Sequence, residues 1–232
     1  MTMGHIMTHG HILGSNMART DRRQREFERR EQEILDAALE LCSAVEFESV
    51  TIEQIARRAD VGKGTVYKHF ASRDELLFRL NIRFYRGLLD ALRAQPVEGS
   101  PRERLRCIIE YALRYHVTHR EYRYVVEYCG RIDFMERAEA IWRDDFLRLD
   151  RAFQEWGVPL IQSGMDSGVF AKRPVEQVLL GVNACFKGAI SMLWAGEHWC
   201  AHGGDEETVL AAATAFMLAG LVGEPRSTLV AD

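Results

Sequence analysis

Apolar residues recur at helical spacing along most of this 232-residue chain. Between Gln24 and Val45 they fall every three or four positions, with arginines and glutamates between them, which predicts an amphipathic helix. Further helical periods follow beyond Pro101, and none of that region shows strand-like alternation of any length. The spacing predicts an all-α fold, and an apolar content of 47% is ample to build its core.

The stretch QPVEGSP, residues 95–101, interrupts the helical pattern with proline, glycine and serine and predicts a domain boundary. The first 16 residues have no charge and no helical period, so we expect them to be outside the fold. The predicted parts are a disordered leader or cloning remnant (1–18), a first domain (19–72), a connecting helix (73–95), a second domain (96–223) and a tail (224–232).

Charge and cysteine content narrow the class of protein. Residues 19–95 carry 15 basic and 14 acidic side chains, whereas residues 96–232 carry 15 and 20, so the first domain is the better candidate for a polyanion partner. Five scattered cysteines without a CxxC motif, and without a secretory signal ahead of them, predict reduced thiols in a cytoplasmic protein. Two apolar stretches, 178–196 and 208–223, are predicted to be core helices and not membrane spans.

The stretch ADVGKGTVYKHF, residues 59–70, concentrates glycines, lysines and aromatic residues. A short helix (51–59), a tight turn (60–62) and a second short helix (63–70) have the layout of a helix-turn-helix. The second helix of such a unit lies in the DNA major groove and presents its amino-terminal residues to the bases. A nucleotide-binding phosphate loop would need GxxxxGK[ST], and the earlier glycine is missing.

The predicted DNA contacts follow from side-chain chemistry. Lysines neutralise phosphates, threonine hydrogen-bonds a base edge or offers its methyl group to thymine, and tyrosine reaches phosphate or sugar. Glycines remove bulk where the backbone approaches DNA closely. For His69 a partly buried position beside Phe70 is an equal alternative, and for the arginines of residues 18–30 a salt-bridged helix start competes with a minor-groove arm. The predicted DNA-binding residues are Thr51, Lys63, Gly64, Thr65, Tyr67, Lys68, His69 and Arg73.

The stretch FESVTIEQIARRADVGKGTVYKHFASRDELL, residues 47–77, resembles the amino-terminal domain of the TetR/AcrR family of bacterial transcriptional regulators. Asp60 stands where glycine is commonest in the family, and Arg73 where lysine is commonest. Positions that match the family pattern are Thr51, Ile55, Ala56, Ala59, Val61, Gly64, Tyr67, His69, Phe70, Glu75 and Leu76.

The resemblance implies an all-α homodimer with an amino-terminal three-helix DNA-binding domain and a carboxy-terminal helical domain for ligand binding and dimerisation. Such a protein binds double-stranded, palindromic operator DNA, usually as a repressor, and a small-molecule inducer releases it. The resemblance implies neither an enzyme nor a cofactor, and the inducer's identity is open. Two alternatives remain: a ligand-binding helical protein or enzyme with a vestigial helix-turn-helix, and a structural DNA organiser without an inducer.

The second domain offers candidates for an inducer pocket and a dimer interface. Aromatic residues with a few polar groups are typical of pockets, and Lys187 stands out as a cation within an apolar helix. The stretch HWCAH offers His198, Cys200 and His202 to a metal, but no partner cluster accompanies it, so we predict no metal site. The predicted pocket comprises Tyr111, Tyr115, His116, Tyr128, Trp142, Phe146, Asn183, Phe186 and Lys187; the predicted interface comprises Leu210, Ala212, Ala215, Met217 and Ala219.

Overall fold

The computed structural model describes residues 10–43, 47–96, 98–138, 140–195 and 205–223. These residues form ten α-helices and two 3₁₀ turns and contain no strand, which confirms the predicted all-α fold. The chain divides into two compact units, one ending at Arg79 and one beginning at Leu80. This division falls inside a helix, so the sequence break at residues 95–101 is not where the two units separate.

The first unit contains α1 (Gly10–Cys42), α2 (Ile52–Arg58), α3 (Lys63–His69) and the start of α4 (Arg73–Arg93). Helix α1 begins well before the predicted start at Gln24, so residues 10–18 of the expected leader are helical; residues 1–9 lie outside the described part. Helices α1 and α2 pack together, as do α2 and α3. The buried core of this unit includes Ile34, Leu35, Ala38, Ile55, Val66, Phe70, Leu76 and Leu77.

Thr51 caps the start of helix α2. The Thr51 hydroxyl accepts a hydrogen bond from the backbone N–H of Gln54 at 3.3 Å, and the Gln54 side-chain oxygen accepts one from the Thr51 N–H at 2.7 Å. This reciprocal capping box satisfies two donors that a helix start leaves unpaired. The apolar side of α2 is buried and consists of Ile52, Ile55 and Ala56.

The turn between α2 and α3 depends on Asp60. Its φ of 53° makes it the one non-glycine residue with positive φ in the described part of the chain. Aspartate tolerates this left-handed conformation better than most side chains, which explains how the chain keeps the turn where the family usually has glycine. Gly62, by contrast, has an ordinary φ of −72° and caps α3 with extended backbone, so the turn does not need a glycine there.

Arg73 connects the start of α4 to the segment that precedes α2. Its Nε donates to the carbonyl of Val50 and its Nη2 to the carbonyl of Phe47, both at 2.9 Å, and its guanidinium lies 5.7 Å from the Phe47 ring centre. Next to it, the Ser72 hydroxyl accepts a hydrogen bond from the Glu75 N–H at 3.1 Å and so caps the start of α4. These internal bonds give Arg73 a structural role and occupy two of the donors that the predicted DNA contact would use.

The second unit continues from α4 through α5 (Pro101–Thr118), α6 (Arg123–Cys129), α7 (Ile132–Arg137), α8 (Ala140–Asp166), α9 (Val175–Ala195) and α10 (Glu206–Val222). Helix α5 packs against α8, α9 and α10, and its predicted apolar face is largely buried. Helix α8 continues through Gly157 and Pro159. The candidate metal ligands His198, Cys200 and His202, and the tail 224–232, lie outside the described residues.

Candidate nucleic-acid interface and ligand site

Helix α3 has one buried side and one exposed side. Val66 and the capping residue Phe70 are buried and hold the helix on the core of the first unit. Thr65 is half-buried at the edge. Four predicted DNA-binding residues that share the outer face of the helix are exposed: Lys63, Gly64, Tyr67 and Lys68. The structure therefore brings together the central part of the predicted contact set.

The two lysines of α3 differ in their surroundings. Lys63 forms an ion pair with Glu53 of α2, and its Nζ lies 5.8 Å from the Tyr67 ring centre. The hydrogen bond that Lys63 donates to Glu53 is the main cause that raises the pKa of Lys63. Lys68 is exposed and has no ion pair among the described residues. Lys68 can therefore bind a phosphate directly, whereas Lys63 must first break its ion pair with Glu53.

Neither side-chain space nor backbone conformation requires glycine at positions 62 and 64. A Cβ atom built on either residue would meet nothing within 4 Å, and neither has positive φ. Glycine inside a helix costs about 1 kcal/mol relative to alanine, so Gly64 weakens α3 without improving its packing. An approach of another molecule to this bare backbone would explain both residues.

His69 packs inside the first unit. Its ring stacks on Phe27 of α1, with ring centres 4.0 Å apart, and its Nδ1 is buried without a hydrogen-bond partner in the described structure. Burial is the largest cause that lowers the pKa of this imidazole. Of the two alternatives for His69, the stacked ring favours the packed position over the phosphate contact. In the sequence, Phe27 was the signal for this contact, because a lone aromatic residue within an arginine-rich run is expected to pack on another apolar or aromatic side chain.

The arginine-rich run before Glu31 is helical where it is described. Arg29 pairs with Glu26 at 2.8 Å and with Glu33 at 2.7 Å, and Arg30 pairs with Glu33 at 2.8 Å. These pairs lie one turn apart on α1, the spacing at which opposite charges stabilise a helix. Of the two alternatives for this run, the structure favours the salt-bridged helix over an extended minor-groove arm.

In the second unit, a group of large side chains packs on three buried residues, and we call the whole group the aromatic cluster. Leu88, Leu92 and Ala112 are buried, while the side chains packed on them are each only partly covered. Tyr115 ends with its hydroxyl against Gly87, since a Cβ there would lie 2.6 Å from that oxygen. The partly covered members come from α4, α5, α8 and α9: Tyr85, Ile108, Tyr111, Tyr115, Phe153, Trp156 and Phe186.

His116 is the buried histidine beside the aromatic cluster. It is 2% exposed, and its ring contacts those of Phe84, Phe186 and Trp194 at 4.9, 5.4 and 5.5 Å between centres. Its Nδ1–H donates to the Ala112 carbonyl at 2.7 Å, because a carbonyl oxygen can only accept. Burial lowers the pKa of His116 to about 4, so the imidazole is neutral at pH 7.

The depressed pKa of His116 makes stability fall in acid. Since the folded pKa is about 4 and the ordinary value is 6.5, the unfolded chain binds the additional proton, and stability is lost as pH falls below 6.5. We expect His116 to account for about 1.5 kcal/mol of lost stability between pH 6.5 and 5. Urea unfolding across this range should show a shallower pH slope for His116→Leu; an unchanged slope would contradict the neutral assignment.

The other predicted pocket residues lie elsewhere in the second unit. Tyr128 and Trp142 pack on Phe134 at 5.2 and 6.4 Å between ring centres, without a described contact to the aromatic cluster. Phe146, Asn183 and Lys187 are exposed on their helices. The structure thus groups Tyr111, Tyr115, His116 and Phe186. The other five predicted residues are not members of the aromatic cluster: Tyr128, Trp142, Phe146, Asn183 and Lys187.

Helices α9 and α10 pack together and leave a second apolar surface uncovered, which we call the α9–α10 face. Its alanines include the predicted Ala212, Ala215 and Ala219, all exposed. Leu210 and Met217 are 2% and 3% exposed and belong to the core, which corrects their assignment to the interface. Sequence reasoning missed the largest members of the face: Leu180, Met192 and Phe216, which are 72%, 45% and 69% exposed.

Helix α9 is, within the described residues, the one helix long and apolar enough to cross a membrane by length and composition. It carries Asn183 and Lys187 near its middle, it packs on α5 and α10, and its Val178, Ala189 and Leu193 are buried. These features are those of a helix within a folded unit. The described part of the chain contains no group of three or more His, Cys, Asp or Glu side chains that could hold a metal ion.

The geometry of the first unit defines a class of protein. A capped supporting helix, a tight turn and a short helix with an exposed basic and aromatic face form a helix-turn-helix DNA-binding domain. The family profile described as "Bacterial regulatory proteins, tetR family" matches residues 34–80, which contain all of these elements. This part of the chain is thus similar to the DNA-binding domain of the tetR family.

Curated relatives match over the same region. The HTH-type transcriptional repressor KstR of Rhodococcus jostii (strain RHA1) is 35% identical over 85 residues, which are 37% of this chain and 40% of the relative. The HTH-type transcriptional regulator TcmR of Streptomyces glaucescens is 34% identical over 79 residues, 34% of this chain and 35% of the relative. The chain thus spans less than half the length of these two relatives.

Solved structures extend the similarity to most of the chain. A bacterial regulatory protein in the tetR family from Rhodococcus RHA1 aligns with a TM-score of 0.66 at 18% identity. The alignment covers 84% of this chain and 98% of that structure. At this identity the comparison shows that the two proteins share a fold, and it includes the helical second unit.

Proposed function

We propose that this protein is a homodimeric transcriptional regulator, most simply a repressor, that binds palindromic operator DNA in the cytoplasm through α3. A small molecule bound in the second unit regulates the affinity for the operator. The observation that carries the proposal is the outer face of α3, where Lys63, Tyr67 and Lys68 surround the bare backbone of Gly64. The match of residues 34–80 to the tetR family supports it.

The α3 face supplies the chemistry that DNA recognition needs. Lysine ammonium groups neutralise phosphates, and Tyr67 can donate its hydroxyl to phosphate or sugar. Thr65 lies at the edge of the same face, where it can reach a base. Thr51 holds the start of α2 in a capping box, and we propose that this helix start meets a phosphate. His69 and Arg73 act indirectly, because they hold α3 and α4 in place.

The bare backbone at Gly64 gives a test of close approach. We expect Gly64→Ala to leave the fold intact or stabilise it by about 0.5–1 kcal/mol, since alanine favours helices and the Cβ meets no neighbour. Operator affinity should nevertheless fall about tenfold, because the methyl group occupies space next to the DNA. Thermal unfolding and fluorescence anisotropy measure the two effects. Unchanged affinity in the stabilised variant would show that DNA does not approach this helix turn.

The α9–α10 face supports a dimer. Leu180, Met192 and Phe216 would be costly to leave in water, and the alanines between them allow close packing of helices from two copies. We expect Phe216→Arg to weaken self-association at least about tenfold, because a charge would be buried in the interface. Sedimentation velocity over a concentration series measures this change. Leu147→Arg, at an exposed leucine of α8, is the matched control and should remain dimeric.

The proposed function is tested by selection of DNA from a random duplex pool with the purified protein. The expected product is an inverted repeat whose half-sites lie about one helical turn, ~34–36 Å, apart or a multiple of it, as a two-fold dimer requires. A pool that yields no enriched sequence would overturn the proposed function and leave a ligand-binding helical protein with a vestigial helix-turn-helix.

A further inference from the structure

Charge is distributed unevenly along the first part of α1. Residues 21–25, which we call the arginine segment, carry three arginines and one acid, whereas residues 26–33 carry two arginines and four acids. The ion pairs of residues 21–33 all involve Glu26 or Glu33. The arginines of the arginine segment are exposed and form no ion pair among the described residues: Arg22, Arg23 and Arg25. The segment therefore presents net positive charge to its surroundings.

The contact between Phe27 and His69 places the arginine segment beside the end of α3. The two rings stack with their centres 4.0 Å apart, and His69 directly follows Lys68, which lies on the outer face of α3. Arg23 precedes Phe27 by one helical turn, so it lies on the same side of α1, about 6 Å further along the helix axis. Because residues 21–29 are all exposed, this part of α1 extends past the core of the first unit.

The chemistry of the arginine segment fits nucleic-acid phosphate better than a membrane surface. A helix that lies on a membrane buries an apolar face, and the sequence DRRQR contains no apolar side chain. Guanidinium groups, by contrast, bind phosphate oxygens through paired hydrogen bonds. The same sequence has no aromatic residue on which an unpaired base could stack, as in proteins that bind single strands.

We propose that the arginine segment binds phosphates of double-stranded DNA that flank the half-site read by α3. This proposal rests on the proposed function, since it takes α3 to lie in the major groove. The segment is helical, and an α-helix with its side chains is about 10–12 Å wide, whereas the minor groove is only about 6 Å wide. The segment therefore contacts the sugar–phosphate backbone from outside the groove, and its contacts do not depend on base sequence.

Anisotropy measurements with two duplexes test the proposal on the full-length protein. One duplex ends at the outermost base pair of each half-site of the selected operator, and the other continues for about six base pairs on each side. We expect the unaltered protein to bind the longer duplex at least about tenfold more tightly. Arg22→Gln, Arg23→Gln and Arg25→Gln combined should remove most of this gain and lower the salt slope on the longer duplex by at least about 2.

A matched triple variant corrects for the general attraction of longer DNA to a basic surface. Arg102→Gln, Arg143→Gln and Arg151→Gln combined change the net charge equally, at exposed arginines of the second unit, and should keep the full gain. Circular dichroism should show unchanged helix content in both triple variants, since glutamine is about as good a helix former as arginine. Equal gains in the two triple variants would overturn the proposal.

The sequence of the added flanks and the shorter duplex distinguish the remaining outcomes. Flanks of A·T pairs and of G·C pairs should give the same gain, and a gain from A·T flanks alone would overturn the phosphate contact in favour of minor-groove reading. Specific binding of both duplexes with no gain from the flanks refutes the role of the arginine segment and leaves the proposed function intact. No specific binding of either duplex overturns both.

Discussion

Substitution of Tyr67 and Lys68 together by alanine is expected to lower operator affinity at least about 100-fold, or roughly 2.7 kcal/mol. Both side chains are exposed on α3 and make few internal contacts, so the fold should not change. Loss of a lysine–phosphate contact should also reduce the slope of log affinity against log salt by about 1. Fluorescence anisotropy with the selected operator at several salt concentrations measures affinity and slope in one experiment.

Two variants control for indirect effects of the double substitution. Lys172→Ala removes an equally exposed lysine from the second unit and changes the net charge by the same amount, so it should leave both affinity and slope unchanged. Tyr67→Phe keeps the ring and removes the hydroxyl, which separates packing from hydrogen bonding. Equal losses in Lys172→Ala and in the double variant would mean that overall charge, not the α3 face, determines binding.

Substitution of Arg73 by methionine is expected to lower the free energy of unfolding of the first unit by about 3 kcal/mol. The variant keeps the length and apolar character of the side chain but removes both donors, so the carbonyls of Phe47 and Val50 lose charged hydrogen bonds. The contact of the guanidinium with the Phe47 ring is lost as well. Urea unfolding followed by circular dichroism measures the change.

Operator binding by Arg73→Met, measured under conditions in which the variant is folded, shows whether Arg73 also contacts DNA. At low temperature and without denaturant, Arg73→Met should bind the operator within about threefold of the unaltered protein, because its donors already bind carbonyls inside the first unit. Arg57→Met, at an exposed arginine of α2, should be nearly neutral for stability. A large loss of affinity in folded Arg73→Met would restore the direct contact that the sequence predicted.

The helix-turn-helix could be predicted from sequence because its determinants are local. Thr51 is recognisable as a cap, and the positions of Ile55, Val66 and Phe70 follow from helical spacing alone. The turn at Asp60 was equally predictable, since aspartate is one of the few side chains that tolerate positive φ. In these cases residue type and spacing within one turn of helix determine the structure.

Residues whose role depends on distant partners were assigned less well. Arg73 and His69 look like DNA contacts because they flank a basic helix, yet their partners Phe47, Val50 and Phe27 lie 23 to 42 positions away in sequence. In the second unit, aromatic residues identify apolar surface but not which rings meet. Tyr115 and Tyr128 have similar surroundings in sequence, and only the packing of the helices places one in the aromatic cluster and the other on Phe134.

The members of the α9–α10 face could not be told from core residues by sequence either, because these helices are apolar on more than one side. Leu210 and Phe216 lie on one helix, and their composition gives no reason to bury the first and expose the second. Packing of α10 against α5 and α9 makes that distinction. The large exposed residues beside the alanine stripe could not be identified from sequence, because apolar side chains occur on every side of α10.

Methylation interference on the selected operator tests most directly the claim that α3 reads DNA from the major groove. Methylation at guanine N7 blocks the major groove, and methylation at adenine N3 blocks the minor groove. We predict that N7 methylation of guanines at symmetric positions in the two half-sites prevents binding. Adenine N3 methylation at those positions should not prevent it. Interference only from adenine N3 would contradict the placement of Lys63, Gly64, Tyr67 and Lys68 in the major groove.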